Sequence, residues 1–185
     1  TVDNWQLNGS ALHIDTDQFV QLTQNAGGLA GSAFYLDSVE LNGEFTVTFE
    51  FEMFPDPELC DADGMTFVIM DAEAGTGFVG TSGGFMGLSG ANSTHKTLLV
   101  EIDNYQDGSV KDAPYDAGYE NQIGVGYHPE GLQAFNPRCQ YLVNPADPEG
   151  PFEAPDFEYA EPDAPSGIWR VEFHFNHGHF HLFLE

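Results

Sequence analysis

The segment Phe45-Thr46-Val47-Thr48-Phe49-Glu50-Phe51-Glu52-Met53-Phe54 alternates without a break: Phe45, Val47, Phe49, Phe51 and Met53 fall on one face, threonine and glutamate on the other. A period of two is the mark of a strand with one buried face. Helical periodicity is almost absent from the rest of the chain. Residues 65–70 (MTFVIM) form a nearly continuous apolar run, which predicts a central strand covered on both faces. Residues 97–102, 123–127, 169–175 and 180–184 complete the set of strands. The last two flank Asn176-His177-Gly178, a tight-turn signal that makes them a hairpin. Many short strands separated by Gly, Asn and Asp predict an all-β sandwich.

At 185 residues the chain is long enough for one domain with a real core, and the expectation is a single domain over 1–185. Residues 129–166 break the strand rhythm. They hold eight of the 11 prolines and several acids, and read as a long Pro-rich acidic loop. Only about 20 residues follow it, too few for a second core. Four Lys plus Arg against 30 Asp plus Glu give a formal net charge of −26. So negative a chain repels nucleic acid and anionic membranes, and suits divalent cations, neutral ligands or a salty medium. Hydrophobic content of 41% with 16 Phe argues against disorder. No run of about 18 apolar residues is present, so membrane insertion is not expected. The start at Thr1 fits a mature chain or an excised module. Cys60 and Cys139 suit one disulfide, which would place the protein in an oxidising compartment, secreted or at the cell surface. Two free thiols are the alternative, because sequence does not report their separation.

Residues 100–127 concentrate the chemistry. Val100, Ile102 and Asn104 share one strand face, and Glu101, Asp103 and Tyr105 the other. Same-face acids in an apolar strand are expensive to bury without a cation. Asp107, Asp112 and Asp116 follow before the chain returns to a strand at Gln122. Oxygen donors converging at a strand end suit a hard cation such as Ca²⁺, which takes about 6–8 oxygen ligands. The competing reading is an acidic surface loop on an acidic protein, and it is the stronger one for the loop acids taken singly.

Four motifs in order carry a resemblance to the L-type (legume-type) lectins and their bacterial adhesin relatives. Ala62-Asp63-Gly64-Met65-Thr66-Phe67 resembles the family's Ala-Asp-Gly strand start, and Gly83-Gly84-Phe85-Met86-Gly87-Leu88 its Gly-Gly-aromatic loop. Val100-Glu101-Ile102-Asp103-Asn104-Tyr105-Gln106-Asp107 resembles its metal-binding strand, and Asn121-Gln122-Ile123-Gly124-Val125 the strand that returns to the metal. The resemblance covers residues 1–127 and the hairpin at 168–185. It implies a concanavalin A-like jelly-roll sandwich of antiparallel sheets and a calcium-dependent, non-catalytic module of a secreted or cell-surface adhesin that binds a glycan or polysaccharide.

Residue by residue, the resemblance implies that Asp63 accepts hydrogen bonds from sugar hydroxyls after a cis Ala62–Asp63 peptide, and that Gly84 donates its backbone N–H to a sugar oxygen. Asp103, the Tyr105 carbonyl, Asp107 and Asp112 would hold Ca²⁺, with Asp116 competing for the last place and Glu101 satisfied by water or backbone. Asp107 stands where the family usually has Asn, and an ionised Asp can bind calcium but only accept hydrogen bonds. Gln122 stands where plant members place the histidine ligand of a transition metal, and an amide is a poor substitute for imidazole. Calcium alone is therefore expected. Phe85, Tyr105, Tyr115 and Tyr119 are candidates to stack on a sugar face, with a core role the competing reading for the aromatics. The chain stops short of the usual domain without a closing strand, so a neighbouring domain or subunit is a candidate to complete the edge.

Glu101-Ile102-Asp103 also resembles the carboxylate strand of retaining glycosidases of related fold. Those need an acid/base Glu on the same strand face. The matching place here is near Tyr105 and Gln106, and Gln cannot donate and recover a proton, so hydrolysis is the runner-up. A structural calcium-dependent assembly module is the third reading. His177, His179 and His181 at alternate positions, with His174 across the hairpin, could offer imidazoles to Zn²⁺ or Ni²⁺. The blander reading is a polar outer face, with Phe180, Leu182 and Leu184 inward.

Overall fold

In the computed structural model the strands are β1 (Trp5–Gly9), β2 (Leu12–Ile14), β3 (Phe19–Gln21), β4 (Gly31–Tyr35), β5 (Glu44–Glu52), β6 (Gly64–Met70), β7 (Thr97–Asp103), β8 (Gln122–His128), β9 (Gln140–Tyr141), β10 (Phe152–Glu153), β11 (Ile168–Asn176) and β12 (His179–Leu184). The structure describes residues 2–14, 19–41, 43–53, 63–83, 87, 95–103, 122–128, 140–141, 152–153, 168–176 and 179–185. Among them the helical elements are two single 3-10 turns, Val2–Asn4 and Ala72–Ala74. No helix among the described residues is long and apolar enough to cross a membrane.

The chain forms two compact units. The first takes in Thr1–Asp37 and Ala62–Pro155. Its main sheet has the order β10-β8-β7-β6, with β9 also on β8, and every pairing is antiparallel. β7 lies between β6 and β8, and Leu99, Val100 and Ile102 are 4%, 1% and 0% exposed. Burial on both faces explains why TLLVEID reads as a nearly unbroken apolar run. Each of these side chains contributes about 1.5–3 kcal/mol of hydrophobic stabilisation. Thr97, fully buried at the start of β7, satisfies its hydroxyl by donating to the His95 carbonyl at 3.1 Å.

The MTFVIM run is therefore a strand, but among the described strands it is not the central one. β6 pairs with β7 alone among the described strands, and its residues 65–70 are half-buried on both faces. An apolar run reports burial, and burial on both faces does not say which strand lies beside which.

The same unit holds an antiparallel ribbon of β1 and β4, in register from Trp5↔Tyr35 to Gly9↔Gly31, and a short hairpin of β2 and β3. Phe34 meets Phe78 edge-on at 6.1 Å, and Phe78 packs with Val68 and Met70 against Leu99.

The second unit takes in Ser38–Asp61 and Asp156–Glu185, and its sheet has the order β12-β11-β5. β5 follows the predicted alternation: Phe45, Val47 and Phe49 are half-buried, Phe51 is buried, and the intervening Thr and Glu are exposed. β11 supplies the centre, with Val171 and Phe173 at 1% and 0% exposure. Phe45 stacks on Phe175 at 5.2 Å and lies 6.1 Å from Phe173. The predicted hairpin is present: Asn176 pairs with His179, leaving two residues for the turn, and Arg170 and Glu185 exchange backbone hydrogen bonds at the open end. Within 129–166, two-residue strands β9 and β10 pair with β8, and the remainder of that segment lies outside the described residues.

Candidate functional site

Three strand ends of the first unit meet in one row. β6 begins at Gly64, β7 ends at Asp103 and β8 begins at Gln122, and the registers are Gly64↔Asp103 and Asp103↔Gln122. Asp63 directly precedes this row, half-buried and not without a partner. Gly64 has φ 139°, a conformation that L side chains rarely adopt. Glycine at this position permits the backbone conformation with which β6 begins, directly after Asp63.

One step into the sheet comes the row Thr66↔Glu101↔Gly124. Glu101 is 7% exposed, a charged residue in the most buried strand of its unit. It does not lack a partner. The Thr66 hydroxyl directly across is buried and has no hydrogen-bond partner among the described residues. Residues directly opposite in an antiparallel pair bring their Cβ atoms to about 4.5–5.5 Å. A buried carboxylate and an unused buried hydroxyl thus sit side by side, and such groups are normally satisfied by protein, water or an ion.

The segment leading to Gly84 is held at both ends. The Asn8 side-chain amide donates to the Thr76 carbonyl at 2.8 Å and to the Ser32 hydroxyl at 3.1 Å, while that hydroxyl donates to the Phe78 carbonyl. The Gly80 N–H donates to the Gly87 carbonyl at 2.8 Å, and the Gly87 N–H to Thr81 at 3.0 Å. Gly87 takes φ 77°, so glycine is needed where this loop closes.

The structure brings together Asp63, Asp103 and Gln122, with Glu101 one row behind. Gly84, Phe85, Tyr105, Asp107, Asp112 and Asp116 lie outside the described residues, as do Cys60 and Cys139 and the Ala62 side of the expected cis peptide. Sequence reasoning missed Thr66, whose only signal was one polar residue within an apolar run. It also missed the Asn8 clamp on Thr76, a contact 68 residues apart along the chain that no local pattern announces.

The donor set tests which ion suits the row. Carboxylates at 63 and 103 are hard oxygen donors and fit calcium. The amide of Gln122, in register with Asp103, does not supply the imidazole that a transition metal prefers. On the hairpin of the second unit, His174 and His181 are directly opposite, and His177 lies outside the described residues. No three His, Cys, Asp or Glu side chains among the described residues are grouped to hold a metal.

A family model described as the legume lectin domain matches residues 1–127, a span that contains β6, β7 and nearly all of β8. Among solved structures, basic winged bean lectin with Tn-antigen is similar, at 16% identity and a TM-score of 0.56, with 99% of this chain and 74% of that one covered. Peanut lectin with a nine-residue peptide is similar at 17% identity and a TM-score of 0.51, covering 98% and 75%. At such identities the likeness is one of fold. A comparison with curated proteins gives no significant match.

Proposed function

Since the chain belongs to the legume lectin family and has its all-β jelly-roll fold, a carbohydrate-binding rather than catalytic frame, we propose that the ends of β6, β7 and β8 form a calcium-dependent glycan site. The observation that supports this reading is the row Gly64↔Asp103↔Gln122, with Asp63 directly before Gly64 in the chain. Asp63 accepts hydrogen bonds from sugar hydroxyls. Calcium is held by Asp103 with the acids that follow it, and Gly84 and Phe85 supply a backbone donor and a stacking ring from the loop closed at Gly87.

Two features support calcium over a transition metal. The donors are carboxylates, and position 122 is an amide. The buried Glu101 beside the unpartnered Thr66 hydroxyl supports a polar demand that ordered water around an ion would meet. In the family setting the domain is a module of a secreted or cell-surface adhesin, with Cys60 and Cys139 joined and the acidic surface turned to a salty medium. Asp63→Ala tests the assignment on a glycan array with calcium present. Loss of the calcium-dependent signal with an unchanged melting temperature is expected. Full retention of that signal would remove Asp63 from the site.

A further inference from the structure

We infer that the exposed face of the β5–β11–β12 sheet is a second, metal-independent contact for a neutral pyranose. This rests on the carbohydrate-binding reading of the family but on none of the strand-end residues. β11 turns Val171 and Phe173 into the core and presents Arg170, Glu172 and His174 on its other face. β12 brings His181 opposite His174 and Phe183 opposite Glu172, and Glu185 bonds to Arg170 through the backbone. These six residues line one open groove.

Phe183 is the anomaly. It is an aromatic ring on the polar face, 53% exposed, in the middle of a run of charged and imidazole groups. The His181 ring lies nearly parallel to it, at 22° with centroids 6.5 Å apart, and His174 meets it edge-on at 5.6 Å. His174 in turn donates to the Glu172 carboxylate, and the Arg170 guanidinium stands 3.9 Å from the same group. His174 is thus tied to Glu172, and Phe183 touches both imidazoles.

The half-exposed Phe183 ring offers an apolar surface to the C–H face of a sugar, with His181 and His174 packed beside it. The rim offers what hydroxyls need, donors from Arg170 and acceptors from Glu172 and Glu185. Charge selects the occupant. Arg170 pairs in register with Glu50 on β5, so carboxylates outnumber the one permanent cation and the face opposes acidic glycans, nucleic acid and anionic lipid. Two imidazoles facing each other offer a competing use as a metal site, but no third ligand joins them among the described residues.

The test is an NMR titration of calcium-free protein with cellohexaose, chitohexaose and xylohexaose, following the ring signals of His174, His181 and Phe183. At least one oligosaccharide is expected to shift all three signals. Phe183→Ala is expected to weaken that binding about tenfold, Phe183→Tyr to keep it, and Asp63→Ala to leave it unchanged. The inference is overturned if no oligosaccharide moves these rings, if the shifts require calcium, or if only Zn²⁺ moves the imidazoles. The strand-end site stands or falls separately, on the calcium-dependent signal.

Discussion

Glu101 and Glu172 are the same side chain put to different use. Glu101 sits in the middle of β7 at 7% exposure, between Thr66 and Gly124, where water cannot screen it. Glu172 sits on the exposed face of β11 with 34% of its side chain in solvent, shared between Arg170 and His174. A buried carboxylate must have its charge answered by protein, water or ion, and the fold around it is constrained accordingly. An exposed one keeps its hydration, so its ion pairs add little and its place is free to be shaped by what binds there. The contrast marks the first region as a constrained scaffold, for which an ion is proposed, and the second as a surface.

Core substitutions set the upper end of the scale for both regions. Phe173→Ala in β11, at 0% exposure, is expected to cost about 3–5 kcal/mol in urea denaturation. A cost below about 1 kcal/mol would mean that the second unit is not organised around that ring. The comparison itself is broken or sharpened by the two glutamates. Glu101→Ala strips the row of its buried acid and is expected to cost about 1–3 kcal/mol, whereas Glu172→Ala is expected to cost under about 1 kcal/mol and to lose even that at high salt. Equal costs would show that burial does not separate these acids. Gly64→Ala places a side chain at φ 139° and is expected to cost about 1–2 kcal/mol, with calcium-dependent glycan binding reduced through displacement of Asp63. Unaltered binding in a stably folded Gly64→Ala protein would detach Asp63 from the sugar.

What was legible in the sequence followed from periodicity. The alternation at 45–53 and the hairpin about Asn176-His177-Gly178 depend only on near neighbours, and both are present in the structure. The pairing of Glu101 and Asp103 with a returning strand at Gln122 was legible because motif order fixes which strands return to the acids. Sheet order was not legible. The MTFVIM run promised a centre and lies at the border of the described sheet, because hydrophobicity records coverage by any neighbour, strand or loop. Phe183 was equally hidden: it belongs to the same alternation as its histidine neighbours, and only the register against Glu172 and His174 reveals a groove around it.

The central claim is that an ion at the end of β7 organises a sugar site, and it is tested most directly in Phe183→Ala protein, which removes the proposed second contact. Glycan-array binding and the melting temperature are measured in this background with calcium and after chelation, with and without Asp103→Ala. The account predicts that chelation abolishes binding and lowers the melting temperature, that calcium restores both, and that Asp103→Ala lowers the melting temperature and removes the response to calcium. Glycan binding and a melting temperature indifferent to chelation would contradict it.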